Sequence, residues 1–228
     1  PGEVVKVTWL QEGRDAWHQE TKLPEQFDES YNVWAENEHG ISPTPNAFRV
    51  VDLPTVVDVE PNDDMKSPQR VEVPCAIAGV LHEAGQVDHF QFSAKKGTRL
   101  DLNVYGRRIL RSPIDAVLRV RKVGGKQIVS ADDSDSPDCL VEFTAPEDGE
   151  YVVVMNDHLR RGGPQYAYRI EISPPRKSLK LGSPERVYRV DPTINLPRGN
   201  RMALLIKVSR KNFNDPVELA WKGLPPGL

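Results

Sequence analysis

The sequence predicts an all-β chain in which a β-sandwich of eight strands stands between two shorter β units. Three observations predict it. The 20 Pro and 16 Gly among 228 residues break up every apolar run, and since proline removes a backbone donor and glycine admits positive φ, the elements between them must be short. Apolar and polar residues alternate with the period of a strand, as in Arg99-Leu100-Asp101-Leu102-Asn103-Val104, so one face is buried and the other wet. Turn-forming steps, Lys96-Gly97, Gly124-Gly125, Asp148-Gly149 and Gly162-Gly163-Pro164, separate consecutive apolar runs.

Taken in order, Val4–Leu10 alternates as a strand, and the polar stretch Gln11–Glu29 reads as a loop. Tyr31–Val51 reads as two strands joined through Gly40 and a proline-containing loop. Thr55–Asp64 is acidic, and its Pro and Asn discourage regular structure, which places a boundary near residue 53. The eight sandwich strands are expected at Ala76–Leu81, His89–Ala94, Arg99–Tyr105, Asp115–Val123, Lys126–Ala131, Leu140–Ala145, Glu150–Asn156 and Tyr166–Ser173. Pro174-Pro175-Arg176-Lys177 is a stiff second linker. Three further strands are expected at Val187–Val190, Ala203–Val208 and Val217–Trp221. The units are therefore residues 1–53, 54–175 and 176–228.

Charge and motifs exclude several functions. A formal net charge of -3 offers no global field for nucleic acid or an anionic membrane, and no apolar run approaches the roughly 18 residues that span a bilayer. The chain starts at Pro1 without Met and stops at Leu228 inside an expected turn, so flanking domains are expected. No Gly-x-Ser-x-Gly elbow, His-Glu-x-x-His helix or phosphate-cradling glycine loop accompanies the histidines His18, His39, His82, His89 and His158. A non-catalytic chain is the reading, with His89 on the surface and His158 in a loop beside Asp157. Cys75 and Cys139 lack zinc-site spacing and are expected to be buried free thiols.

Several patches, in one order, carry a resemblance. They are Glu60-Pro61-Asn62-Asp63, Val87-Asp88-His89-Phe90-Gln91-Phe92, Ser112-Pro113-Ile114-Asp115-Ala116-Val117-Leu118, Ala131-Asp132-Asp133-Ser134, Ala145-Pro146-Glu147-Asp148-Gly149-Glu150-Tyr151 and Tyr166–Ile172. Over about 120 residues the chain resembles the bacterial pre-peptidase C-terminal (PPC) domain of planctomycete-like extracellular proteins. The resemblance implies a jelly-roll-like sandwich, related in fold to the collagen-binding domains of clostridial collagenases. The stretch Tyr31–Val51 resembles the last strands of IPT/TIG-type domains, and the C-terminal stretch resembles the first half of a bacterial Ig-like repeat. The full expectation is thus a jelly-roll-like β-sandwich flanked by two immunoglobulin-like β units.

By resemblance, the function is that of an accessory or binding module of a larger secreted or cell-surface bacterial protein, protease-associated, located outside the cell or in the periplasm. A purely structural spacer and a hydrolase fragment are the competing readings. The expected partner is an extracellular polymer, protein or glycan, or a neighbouring domain of the parent chain. Collagen binding is not implied, because the tyrosines of such a face have no counterparts here.

One site is expected, for calcium. Asp58, Glu60, Asn62 and Asp63 supply four oxygen-bearing side chains within six residues, and calcium takes six to eight oxygens from flexible acidic segments. The calcium-binding collagenase relatives have such a segment together with two aspartates before the Asp-x-Phe strand. Asp88 matches one of them, and the other falls near Gly85, so Glu83 or Gln86 must substitute or the site loses a ligand. An acidic linker without an ion is the competing reading. Asp132, Asp133, Asp135 and Asp138 form a second acidic loop. The arginines Arg107, Arg108, Arg111, Arg119, Arg121, Arg160 and Arg161 either bind an acidic partner or pair with Asp101, Asp115, Asp132 and Asp133. The four tryptophans, Trp9, Trp17, Trp34 and Trp221, lie outside the middle segment, which argues against a sugar platform of stacked aromatics there.

Overall fold

Alternation becomes pairing in the computed structural model, which describes residues 2–10, 13, 15–26, 28–132, 136–182, 198–199 and 205–220. The chain divides into two units, Pro1–Pro174 and Pro175–Leu228.

The first unit opens with a hairpin, β1 (Val4–Trp9) against β2 (Trp17–Lys22), in register from Val4 opposite Lys22 to Trp9 opposite Trp17. The stretch expected as a loop thus contains a strand. Its pattern was hidden because the half-buried positions are Trp17, Gln19 and Thr21, only one of them apolar. Pairing rescues them: the Trp9 and Trp17 rings stack at 6.4 Å, and Trp9 Nε1 donates to Gln19 Oε1 at 2.9 Å. β3 (Asp28–Val33) pairs with β6 (Asn46–Val50), with the two-residue strands β4 (Glu36–Asn37) and β5 (Gly40–Ile41) between them.

The sandwich follows: β7 (Thr55–Val57), β8 (Gln69–Arg70), β9 (Cys75–Val80), β10 (Asp88–Ala94), β11 (Arg99–Tyr105), α1 (Arg107–Leu110), β12 (Ala116–Lys122), β13 (Gln127–Ala131), β14 (Leu140–Thr144), β15 (Gly149–Asp157) and β16 (Ala167–Ser173). All eight expected strands are present within two residues at each end. One sheet has the order β13-β12-β15-β10-β8 and the other β14-β11-β16-β9-β7. Inward residues alternate as the strand period demands. Phe90, Phe92, Leu118, Val120, Tyr151, Val153 and Met155 come from the first sheet, and Leu100, Leu102, Val141, Phe143, Ile170 and Ile172 from the second. Phe92, Phe143 and Tyr151 form an aromatic knot with centroids 5.0–5.9 Å apart, where truncation to alanine costs about 3–5 kcal/mol.

Two expectations about linkers change. Thr55–Val57, expected to be irregular, runs parallel to β9 at the sheet edge, held by Ala76 N to Pro54 O and Asp58 N to Ala78 O, both 2.9 Å. An edge strand needs partners on one side only, so the acidic residues that follow do not prevent it. Arg49 of β6 also reaches the sandwich. Its guanidinium grips Glu171 of β16 through Nε (2.8 Å) and Nη2 (2.9 Å) and lies over the Tyr105 ring at 3.7 Å.

Cys75 and Cys139 are free and buried. Cys75 is on β9 and Cys139 precedes β14, with β16 and β11 between. Three strand spacings, roughly 14 Å, exceed the reach of a disulfide.

The second unit contains the antiparallel pair β17 (Ser178–Gly182) and β18 (Lys207–Lys211), from Ser178 opposite Lys211 to Gly182 opposite Lys207. The strand expected at Ala203–Val208 lies later in the chain. Val217–Ala220, expected as a strand, is irregular. Val187–Val190 lies outside the described residues.

Candidate metal centre

The open end of the sandwich is where the two sheets deliver polar groups to one place. Asp88 begins β10 and shares the inward face of Phe90 and Phe92, two and four residues on. Tyr168 of β16 shares the inward face of Ile170 and Ile172, and its hydroxyl donates to Asp88 Oδ2. Gly79 stands opposite Tyr168 on β9, and a Cβ there would overlap the tyrosine ring and hydroxyl. Glycine is thus what lets the phenol reach across.

The chain leaving β7 closes over this end. Asn62 is fully buried, its backbone N donates to Glu60 Oε2 at 2.9 Å, and its Nδ2 donates to Asp58 Oδ1 at 2.5 Å. Asn62 O accepts from His89 N at 3.1 Å, and the His89 Nδ1 lies 3.1 Å from it. His89, expected on the surface, is therefore buried, because the acidic segment folds onto it. Gln69 fastens the base of the loop, accepting from Val59 N and donating to Val57 O, both at 2.9 Å.

These contacts bring carboxylate oxygens of Asp58, Glu60 and Asp88 within 4.8 Å of one another. Burial pushes the Asp88 carboxyl up to about 7, against the opposing hydrogen bond from Tyr168, and the neighbouring Asp58 and Glu60 charges push the same way. Asp58 is likewise raised, by burial and then by Glu60. Gln86, beside the glycine that falls at the missing aspartate position, donates its amide to Glu60 Oε1 and to Asp88 Oδ1, the latter at 3.0 Å.

The donor set fits a hard cation. Three carboxylates converge where one is fully buried, and the Asn62 Oδ1 is buried without any hydrogen-bond partner. An orphaned amide oxygen costs about 1–3 kcal/mol, and oxygen ligands of this mixture are those calcium takes. Asp63 is not in this group. It is exposed, on the wall of an adjoining cavity of about 350 Å3 with Glu60, His82, Glu83 and Gln86.

The second acidic loop does different work. Asp138 is buried, and its carboxylate accepts from the backbone N of Gly106 (3.1 Å), Arg107 (2.8 Å) and Arg108 (3.1 Å). Asp132 stands 3.9 Å from His158, and Asp133 and Asp135 lie outside the described residues.

Residues 86–155 match the family model described as the bacterial pre-peptidase C-terminal domain. The match falls within the sandwich. The match spans β10 to β15, so Asp88 lies within it and the Asp58–Asp63 segment lies before it. Over 108 residues the chain is 30% identical to a probable subtilase-type serine protease of Deinococcus radiodurans, covering 46% of this chain and 15% of that protein. Among solved structures, the PPC domain of a Bacillus anthracis collagenase aligns with 14% identity and a TM-score of 0.40, over 51% of this chain and all of that one. A periplasmic inhibitor of g-type lysozyme from Aeromonas hydrophila aligns with 16% identity and a TM-score of 0.36, over 46% of this chain and 95% of that one.

In the sandwich several arginines are structural. Arg107 pairs with Asp115 at 3.3 Å, Arg108 approaches Asp138 at 4.0 Å, and Arg161 binds Asp157 at 3.2 Å. Tyr168 and Gly79 were not singled out from sequence as parts of the site, whereas Gln86 was named there with Glu83. Tyr168 stood in the motif Tyr166–Ile172, but only sheet pairing shows that it meets Asp88.

Proposed function

We propose that this chain is a non-catalytic accessory module of a larger secreted or cell-surface bacterial protein, associated with a protease, and that calcium at Asp58, Glu60, Asn62 and Asp88 fastens its acidic entry segment to the PPC sandwich. The observation that carries the ion is the meeting of three carboxylates beside an unpartnered, buried Asn62 oxygen. Bound there, calcium supplies the positive charge that offsets the three carboxylates. Tyr168 and Gln86 hold the Asp88 carboxylate in place by hydrogen bonds, and Asn62 orients Asp58. Gln86, one of the two residues expected to make up for the absent second aspartate, presents its amide N–H to the cluster while its Oε1 accepts from Glu83 N at 3.1 Å, so the site has one ligand fewer, with Asp63 contributing charge from outside the cluster.

The PPC match and the similarity to a subtilase-type protease support the accessory role, and the flanking strands are read as parts of immunoglobulin-like neighbours. The hydroxyl–imidazole contact among the described residues is Thr8 Oγ1 to His18 Nδ1 at 3.0 Å. It lies on an exposed hairpin face, and among the described residues no carboxylate orients that imidazole, as a hydrolytic triad requires.

Isothermal titration of the 228-residue chain with calcium tests the ion. One site per chain is expected, abolished by Asp88→Asn and preserved in Asp63→Asn. A casein assay tests the accessory role, and turnover that copurifies with the chain would overturn it.

A further inference from the structure

Arg111, Arg119, Arg121 and Arg160 of the sandwich have no carboxylate partner among the described residues, and two of them, Arg119 and Arg160, share one recess. Neither lies within 4.0 Å of a carboxylate among the described residues, whereas Arg49, Arg107, Arg108, Arg161 and Arg169 all do. Both line a cavity of about 580 Å3 at one end of the β13-β12-β15-β10-β8 sheet, together with Ser130, Asn156 and His158. Asn156 Oδ1 accepts from Arg119 Nη1 at 2.5 Å and so fixes the guanidinium while leaving its other donors open. The cavity's carboxylate, Asp132, stands against His158 instead. One fixed guanidinium, Arg119, and a second, exposed one, Arg160, both without a carboxylate partner, make this recess a site for a planar anion, which arginine engages through paired N–H donors.

The wall of the recess identifies the ligand further. Ser130 and Ala131 belong to β13, the edge strand of its sheet among the described strands, so its outer row of backbone donors and acceptors can take another strand. Arg119 is directly opposite Ser130. A peptide laid along β13 would stand two strand spacings, about 10 Å, from β12. Its residue level with Ser130 would point to the same face as Arg119. Over the small Ser130 side chain, a glutamate and an arginine reaching toward each other span that distance. A glycan fits less well, because no Trp, Tyr or Phe lines the recess to stack on a sugar face.

We propose that this recess binds an acidic peptide segment that adds as a strand to β13 and places a carboxylate between Arg119 and Arg160. The proposal deepens the accessory-module reading and rests on it. Gln86, which donates to Asp88, also lines this cavity, but none of the three clustered carboxylates does.

Fluorescence anisotropy tests it with two labelled octapeptides, one alternating Val with Glu and the other alternating Val with Gln, titrated with the full chain. The Glu peptide is expected to bind at least tenfold more tightly than the Gln peptide. Arg119→Gln and Arg160→Gln should each weaken it at least tenfold, and Lys95→Gln, an exposed charge outside the recess, by less than twofold. Equal affinity for the two peptides overturns the proposal. So does equal weakening by R119Q and K95Q, which would mean a diffuse charge effect, and so does Arg119-dependent binding of polygalacturonate in place of the peptide. Melting curves of the variants guard against misfolding, and Arg160, on a surface turn, carries the test if R119Q melts early. Cleavage of the peptide, read by mass spectrometry, would overturn the accessory-module reading and leave the site assignment standing.

Discussion

Replacing Asp88 by asparagine should stabilise the calcium-free protein at pH 8 and at the same time abolish its response to calcium. Burial, with the Asp58 and Glu60 charges, pushes this carboxyl up to about 7. In the unfolded chain the same group titrates near the ordinary aspartate value of 3.8. Between these two values the folded protein holds a proton that the unfolded chain has released, so calcium-free stability falls as pH rises from about 4 to about 7 and levels off above. The difference converts to an upper value of about 4 kcal/mol. Asparagine removes the charge but keeps an acceptor for Tyr168, so a gain of roughly 1–3 kcal/mol at pH 8 is expected after partial loss of hydrogen bonding. Calcium acts in the opposite direction on the wild type, because it needs the ionised carboxylates. With a dissociation constant of about 0.1–1 mM, usual for extracellular modules, 10 mM calcium contributes about 1.4–2.7 kcal/mol. That corresponds to a melting shift of roughly 3–10 °C at pH 8, shrinking toward pH 5. Differential scanning fluorimetry across pH, with calcium and with chelator, measures both effects. A D88N protein that is less stable than wild type in chelator at pH 8, or that keeps the calcium shift, would refute the reasoning.

Arg49→Ala should cost about 3 kcal/mol in urea unfolding: breaking a buried pair costs about 3–5 kcal/mol, and Arg169, 3.0 Å from Glu171, keeps part of the compensation. A loss under about 1 kcal/mol would mean that β6 is not pinned to the sandwich through this pair. Gly79→Ala should displace the Tyr168 hydroxyl, costing about 1–3 kcal/mol and weakening calcium binding, whereas Tyr168→Phe should weaken calcium binding with a smaller loss of stability. Unchanged calorimetric affinity in both variants would remove Tyr168 from the site. Burial pushes the Cys75 thiol up to about 11 and the Cys139 thiol up to about 12, so iodoacetamide at pH 8 should leave the native chain unlabelled and give two adducts after denaturation. Adducts formed on the native chain would show that these strands open.

The sandwich was legible because each strand has alternating large apolar residues and ends in a residue suited to a turn. Leu100, Leu102 and Val104 on β11 need no partner to declare their inward face. β2 was not legible because Gln19 and Thr21 occupy its half-buried positions, and Gln19 is held by the Trp9 indole across the hairpin rather than by its own hydropathy. The metal centre divides in the same way. Asp58, Glu60 and Asn62 are close in sequence, and a short loop keeps them close in space. Asp63 stands outside the carboxylate cluster, because spacing within a loop does not set the direction of a side chain. Tyr168, 80 residues from Asp88, enters only through the pairing of β16 with β9.

Three buried aspartates differ in how far the protein's own atoms offset their charge. Burial raises the Asp157 carboxyl, but the Arg161 side chain and backbone, together with the Asp115 backbone N at 2.7 Å, outweigh it and hold the group below the usual carboxylate range. Asp138 meets three backbone N–H groups where α1 begins. Asp88 has only neutral donors, the Tyr168 hydroxyl and the Gln86 amide, and two further carboxylates beside it. Hydrogen bonds from neutral groups stabilise a buried carboxylate less than a guanidinium does, and each adjacent negative charge adds repulsion that low-dielectric surroundings do not screen. A proton relieves one charge of the three, whereas a divalent cation offsets two and supplies a partner for the Asn62 oxygen. The other two sites are complete with the protein's own atoms, so an ion there would have to displace hydrogen bonds already made.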